Sequence, residues 1–96
     1  VPVLPDAEGN LPAAPSGEAF TQARLALGLS LNDLSEQVEI SRKVLEAIEK
    51  ELFSDLDDPG YLRWAVNQIA RHLGFEPRET TDQYMQRYRT WQREQG

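Results

Sequence analysis

The chain has 96 residues, a formal net charge of −6, no cysteine and a single histidine, His72. The lack of cysteine excludes disulfides and cysteine-ligated metal sites, and one histidine cannot by itself build a metal cluster. No apolar run approaches the ~18 residues that a membrane-spanning helix needs, so we expect one soluble domain, with any membrane segment outside these residues.

The N-terminal stretch differs in composition from the remainder of the chain. Residues 1–15 hold four of the six prolines and lack helical periodicity. We interpret them as a flexible, disordered arm rich in proline and alanine, and we place the folded domain at residues 16–96.

The first helix is predicted at about residues 17–27. Ser16 stands where an N-cap belongs, and Gly28 suits the left-handed residue that follows a helix end. The predicted core stripe of this helix consists of Phe20, Ala23 and Leu27.

Two short helices joined by a tight turn are predicted between residues 29 and 51. Ser30 and Asp33 form an acidic version of the capping box before the first of them, and Ser41 is the N-cap candidate of the second. Their apolar stripes are Leu31, Leu34 and Val38 in the first and Val44, Leu45, Ile48 and Leu52 in the second. Because helices this short do not persist alone in water, they must share a core with their neighbours.

This pattern resembles the helix-turn-helix of phage-repressor-like domains, which read LS-x-x-x-L-A, a short turn, and S-x-x-x-[IL]-x-x-[IL]-E. The matching residues are Leu29, Ser30, Leu34, Ser35, Ser41, Leu45, Ile48 and Glu49. The resemblance implies the fold but leaves the function open, since such scaffolds serve both DNA-binding and protein-binding domains.

Helix four is predicted at Pro59–Leu73, after a connector whose Phe53 and Leu56 close the base of the bundle. Asp57 or Asp58 caps it and Gly74 ends it. Its core stripe is Leu62, Val66, Ile69, Ala70 and Leu73. Another face carries Tyr61, Trp64 and Gln68. These two aromatics either pack beneath helix five or the arm, or form a partner-binding patch, because Trp and Tyr are typical interface anchors.

Helix five is predicted at about residues 81–93, beginning with a capping box from Thr80 to Gln83. Its apolar stripe is Tyr84, Tyr88 and Trp91, with Met85 alongside. We interpret the stripe as core packing. The alternative is a helix that leads out of the domain, with its arginines near a membrane or another partner.

Residues 52–77 read LFSDLDDPGYLRWAVNQIARHLGFEP. This stretch resembles the N-terminal cytoplasmic domain of the RodZ family of bacterial cell-shape proteins. That family continues its helix-turn-helix with DF-x-x-LP-x-P-x-Y-x-[RK]-G-[FY]-[LI]-[RK]-x-YA-[RK]-x-LG-[LI]-[DE]-P. The residues in matching places are Phe53, Leu56, Pro59, Tyr61, Arg63, Ala70, Arg71, Leu73, Gly74, Glu76 and Pro77. With Ala23, Arg24, Gly28, Leu29 and Ser30, the resemblance covers about residues 16–80.

The resemblance implies an all-α five-helix domain that binds the actin-like filament protein MreB and is tethered to the inner membrane through a later segment. The family's contact surface lies on helix four, where two aromatics stand one turn apart. Tyr61 matches the first, Ala65 occupies the place of the second, and Trp64 replaces a glycine, which moves the aromatic surface by about 100° around the helix. We predict Tyr61, Trp64, Ala65 and Gln68 as partner-binding residues.

The sequence predicts a non-catalytic module without a cofactor, since it shows no nucleophile–histidine pair, phosphate loop or metal-ligand spacing. The preferred function is protein interaction. The alternative is a DNA-binding regulator in which helix three enters the major groove with Ser41, Arg42, Lys43 and Glu46. Residues 29–58 contain nine acidic and three basic residues, the opposite of the basic footprint that DNA binding normally shows.

Overall fold

A computed structural model of the chain describes residues 16–95, and the arm predicted at residues 1–15 lies outside them. The predicted all-α, five-helix fold with a helix-turn-helix is confirmed. The helices are α1 (Gly17–Ala26), α2 (Leu31–Val38), α3 (Arg42–Lys50), α4 (Pro59–Leu73) and α5 (Pro77–Gln95), with a short 3-10 turn at Phe53–Asp55.

Side chains predicted as N-caps accept hydrogen bonds at the starts of three helices. The amide of Asp33 donates to Ser30 Oγ and the amide of Ser30 donates to Asp33 Oδ2, each at 3.0 Å, which completes the capping box of α2. Ser41 Oγ accepts from the amide of Val44, and Asp58 Oδ1 accepts from the amide of Tyr61 at the start of α4.

The start of α1 is capped from a distant part of the chain. Ser16 occupies the N-cap position but makes no side-chain cap bond. The amide of Gly17 instead donates to Glu51 Oε2 at 2.8 Å, and Arg87 of α5 donates to Glu51 Oε1 at 2.7 Å. One carboxylate at the end of α3 therefore joins α1 and α5.

Three predictions about the helices are wrong. Helix five begins at Pro77, because Glu76 accepts from the amides of Arg78 and Glu79 and so caps the helix before the predicted box at Thr80. Leu27, which was predicted in the core stripe of the first helix, is 56% exposed, since α1 ends at Ala26. Leu52, which was predicted in the apolar stripe of the third helix, is also exposed, because Glu51 ends α3 in a left-handed conformation with φ 56°.

All five helices contribute to one core. The predicted core residues Phe20, Leu34, Leu45, Ile48 and Tyr84 are fully buried. Met85 and Tyr88 of α5 are also buried, and Trp91 packs on the ring of Phe53, so α5 covers the bundle as predicted. The hydroxyls of Tyr84 and Tyr88 donate to buried carbonyls at 2.6 and 2.8 Å, which satisfies the polar ends of these side chains.

Gly17 allows α1 to approach the end of α3. A Cβ atom at this position would lie 2.4 Å from the carbonyl oxygen of Glu49 and 2.5 Å from that of Ile48. Both neighbours are backbone atoms of a packed helix, so they cannot move aside without shifting α3. The residue at this contact must be glycine.

We expect Gly17→Ala to lower the free energy of unfolding by about 1–3 kcal/mol, the usual cost of overpacking. Gly60→Ala is the matched control, because its Cβ would meet only Asp58 Oδ1 at 3.5 Å. It should leave stability unchanged or raise it by about 0.4–1 kcal/mol. Urea unfolding of both variants measures the difference, and equal stabilities would contradict the close approach.

Candidate protein-interaction surface on helix four

Two aromatic side chains of α4 face solvent. Tyr61 is 41% exposed and Trp64 is 46% exposed, and their ring centroids lie 5.6 Å apart at an interplanar angle of 35°. Within residues 16–95 no element covers them, so helix five does not provide the cover that the packing alternative required. We call the face formed by Tyr61, Trp64 and Gln68 the aromatic face.

The opposite side of α4 explains why these rings point outward. Leu62, Val66 and Ile69 are buried at helical spacing and fix the rotation of the helix about its axis. Ala65 belongs to this core stripe and is 0% exposed, so the prediction that it contacts a partner is wrong. Its position lies three residues after Leu62 and four before Ile69, which places it against the bundle. Gln68 is half-buried, one turn beyond Trp64.

Trp64 lies between two open grooves. One, of about 670 Å³, runs between α4 and α5, and the other runs between α4 and the end of α2. The first is lined by Gly60, Arg63, Trp64, Asn67, Arg71, Arg78, Thr81 and Asp82. The second is lined by Gln37, Val38, Glu39, Trp64, Gln68, Arg71 and His72.

Polar contacts connect the helices that form the groove walls. Arg63 donates to Asp82 at 3.3 Å, and Asn67 donates to Thr81 Oγ1 at 3.4 Å, so two contacts join α4 to α5. His72 contacts Gln37 and thereby joins α4 to α2. The aromatic face therefore stands on a helix anchored on both sides, which limits the ordering cost of binding.

The residues of the DNA-binding alternative lie together at the start of α3. Ser41, Arg42 and Lys43 are exposed. The hydroxyl of Ser41 is already used as a cap, and Glu46 pairs with Lys50 at 2.9 Å, which lowers the pKa of the Glu46 carboxyl. Two cations, Arg42 and Lys43, thus remain for phosphate, and the neighbouring α2 carries two exposed acids, Asp33 and Glu36.

A buried ion pair that the sequence did not predict joins α1 to α3. Arg24 donates through Nε to Glu49 Oε2 at 2.8 Å and through Nη2 to Glu49 Oε1 at 3.1 Å. Thr21 Oγ1 also donates to Glu49, and Arg24 Nη1 donates to the carbonyl of Leu29. Arg24 matched the RodZ pattern and Glu49 matched the helix-turn-helix pattern, so the sequence singled out both residues. Their pairing was not predicted, because the two residues lie 25 positions apart. The pair fixes α1 onto α3 and does not face a partner.

The part of the chain that the structure describes offers no metal site built from three or more His, Asp or Glu side chains. Between residues 16 and 95, none of the helices combines the length and apolar character that crossing a bilayer requires.

The tight turn between α2 and α3 defines a helix-turn-helix domain, and α4 and α5 extend it on the C-terminal side. A family model described as a helix-turn-helix domain matches residues 19–80, and the chain belongs to this family. The chain is 34% identical over 68 residues to the cytoskeleton protein RodZ of Streptococcus pneumoniae (strain ATCC BAA-255 / R6). The domain is therefore a RodZ-like helix-turn-helix domain.

That match covers 71% of this chain and 25% of the relative, so the chain spans about a quarter of the length of the curated protein it matches. No solved structure gives a significant match.

Proposed function

We propose that this domain is a non-catalytic adaptor that docks an actin-like filament protein of the MreB class onto the aromatic face of α4. The observation that carries the proposal is the exposed Tyr61–Trp64 pair on an anchored helix. The likeness to a protein named as a cytoskeleton protein supports this class of partner. The proposal includes a place in the cytoplasm, with attachment to the inner membrane through another segment of the protein.

The chemistry of the aromatic face suits a protein partner. Tyr and Trp bury about 150–250 Å² each and keep a polar tip for a hydrogen bond, so two of them one turn apart form a compact anchor. Such anchors dominate interface energetics when they enter a pocket of the partner. Gln68, at the edge of the face, supplies an amide for the polar rim.

Co-sedimentation tests the proposal. The full chain is mixed with filaments of MreB from the organism that encodes it, and the pelleted fraction is measured against chain concentration. We expect saturable binding that depends on the filament. If the chain stays in the supernatant at every concentration, the docking proposal is wrong.

DNA binding through α3 is the second candidate, supported by the exposure of Arg42 and Lys43. Its test is a titration of random duplex DNA between 50 and 200 mM salt. Binding through several phosphates weakens steeply over this range. We expect no measurable binding even at the lowest salt, because residues 29–58, which contain α2 and α3, carry nine acidic residues against three basic ones.

A further inference from the structure

We infer that the partner segment bound at the aromatic face carries carboxylates, which Arg71 and Arg78 pair with at the groove between α4 and α5. This inference rests on the proposed function and names the chemistry of the partner. It follows from the charge, the hydrogen bonding and the neighbours of these two arginines.

The charge around the groove differs from that of the remainder of the chain. The full sequence has a net charge of −6, and residues 29–58 alone account for 3 − 9 = −6. The groove, in contrast, has three arginines and one acid, Asp82, among its lining residues. A cationic patch therefore adjoins Trp64 on an otherwise acidic domain.

Two of the three arginines keep their charge available. Arg63 is paired with Asp82. Arg71 donates through Nε to the neutral amide oxygen of Asn67 at 2.8 Å, which positions the guanidinium and leaves its terminal nitrogens for a partner. Arg78 is exposed. Within residues 16–95, neither Arg71 nor Arg78 forms an ion pair.

Glu76, which lies two residues before Arg78, is already engaged. Glu76 uses both carboxylate oxygens to accept from the backbone amides of Arg78 and Glu79 at the start of α5. It therefore acts as a helix cap, and the guanidinium of Arg78 is not neutralised by it.

A carboxylate-bearing protein segment fits this arrangement better than a polyanion does. Guanidinium groups match carboxylates in planar, two-bond geometry, and the adjacent Trp64 offers an apolar anchor that a nucleic-acid backbone would not use. Two available arginines are also fewer than the 6–10 phosphate contacts of a typical DNA site or the 4–8 basic residues of a lipid-binding cluster. The expected ligand has Asp or Glu side chains beside an apolar residue.

The test compares two charge reversals with the same change in net charge. Arg71→Glu/Arg78→Glu alters the groove, and Arg89→Glu/Arg93→Glu alters exposed arginines elsewhere on α5. Binding of each full-length variant to MreB filaments is measured by co-sedimentation at 50 and 300 mM NaCl. We expect the groove variant to bind about five- to thirtyfold more weakly at low salt, and the control to stay within about twofold.

Two further readouts separate pairing from a structural effect. Arg71→Gln/Arg78→Gln removes the charges but keeps hydrogen-bond donors, and it should bind with intermediate affinity. The wild-type chain should lose more affinity between the two salt concentrations than the groove variant does. Circular dichroism and urea unfolding should show that all variants fold as the wild type does.

The outcomes distinguish this inference from the docking proposal. If Trp64→Ala weakens binding while the groove variant matches the Arg89→Glu/Arg93→Glu control, docking stands and the carboxylate inference is overturned. If neither Trp64→Ala nor the groove variant changes binding, both are wrong. A further contrary result is that the wild-type chain binds vesicles with 30% phosphatidylglycerol or duplex DNA, with that binding lost in the groove variant. This result would overturn the carboxylate inference in favour of a phosphate ligand.

Discussion

Glu49→Ala is expected to lower the free energy of unfolding by about 3–5 kcal/mol, because it leaves the buried guanidinium of Arg24 without its partner. Arg24 and Glu49 are both buried, and the carboxylate also accepts a hydrogen bond from Thr21. A folded domain has a total stability of about 5–15 kcal/mol, so this loss should be a large fraction of the total. Urea unfolding at pH 7 measures the loss.

The exposed pair on the same helix is the matched control. The Lys50 and Glu46 side chains are in contact at 2.9 Å but stay 63% and 41% accessible to solvent, so we expect Glu46→Ala to change the free energy of unfolding much less than Glu49→Ala does. A second comparison is the double variant Arg24→Met/Glu49→Leu. It removes both charges and should recover most of the stability. If Glu49→Ala costs no more than Glu46→Ala, the buried pair does not hold α1 on α3.

Trp64→Ala is expected to weaken docking to MreB filaments by about 1–3 kcal/mol, which corresponds to about five- to a hundred-and-fifty-fold in Kd. Tyr61→Ala should act in the same direction, and the double variant should lose detectable binding. The reason is that each truncation removes an exposed aromatic anchor that no element within residues 16–95 covers.

The control for these variants is an apolar residue of similar exposure on another helix. Leu25 of α1 is 57% exposed, so Leu25→Ala removes apolar surface without touching the aromatic face. It should bind filaments as the wild type does. Helicity and urea midpoint are measured for all variants. A large loss of stability in Trp64→Ala would mean that this ring supports the fold, and unchanged affinity would mean that α4 is not the docking surface.

Local chemistry explains which parts of the fold could be predicted. Ser30 and Asp33 cap α2, and Asp58 caps α4 directly before Pro59. Each of these acceptors lies three residues from the amide that it binds, so the caps could be predicted from neighbouring residues alone. The start of α5 was predicted too late because Thr80 and Gln83 also resemble a cap. Glu76 supplies the acceptor earlier, and Thr80 and Thr81 are buried inside the helix.

The candidate surface was predictable only in part, for a different reason. The spacing of Tyr61 and Trp64 placed them off the core stripe, and the structure leaves both rings exposed. Ala65 was assigned from a family position, whereas the packing of α4 turns that position inward. The arginines beside Trp64 could not be placed from sequence, since the groove is formed by α4 and α5 together and depends on where α5 begins.

The carboxylate of Glu51 has a consequence for how the domain opens. It binds the amide of Gly17, 34 residues earlier, and the guanidinium of Arg87, 36 residues later. The first turn of α1 and the middle of α5 should therefore open as one cooperative unit in amide hydrogen exchange. In Glu51→Gln we expect faster exchange in both segments at once, measured by mass spectrometry. Faster exchange confined to α1 would show that the two ends of the domain open independently.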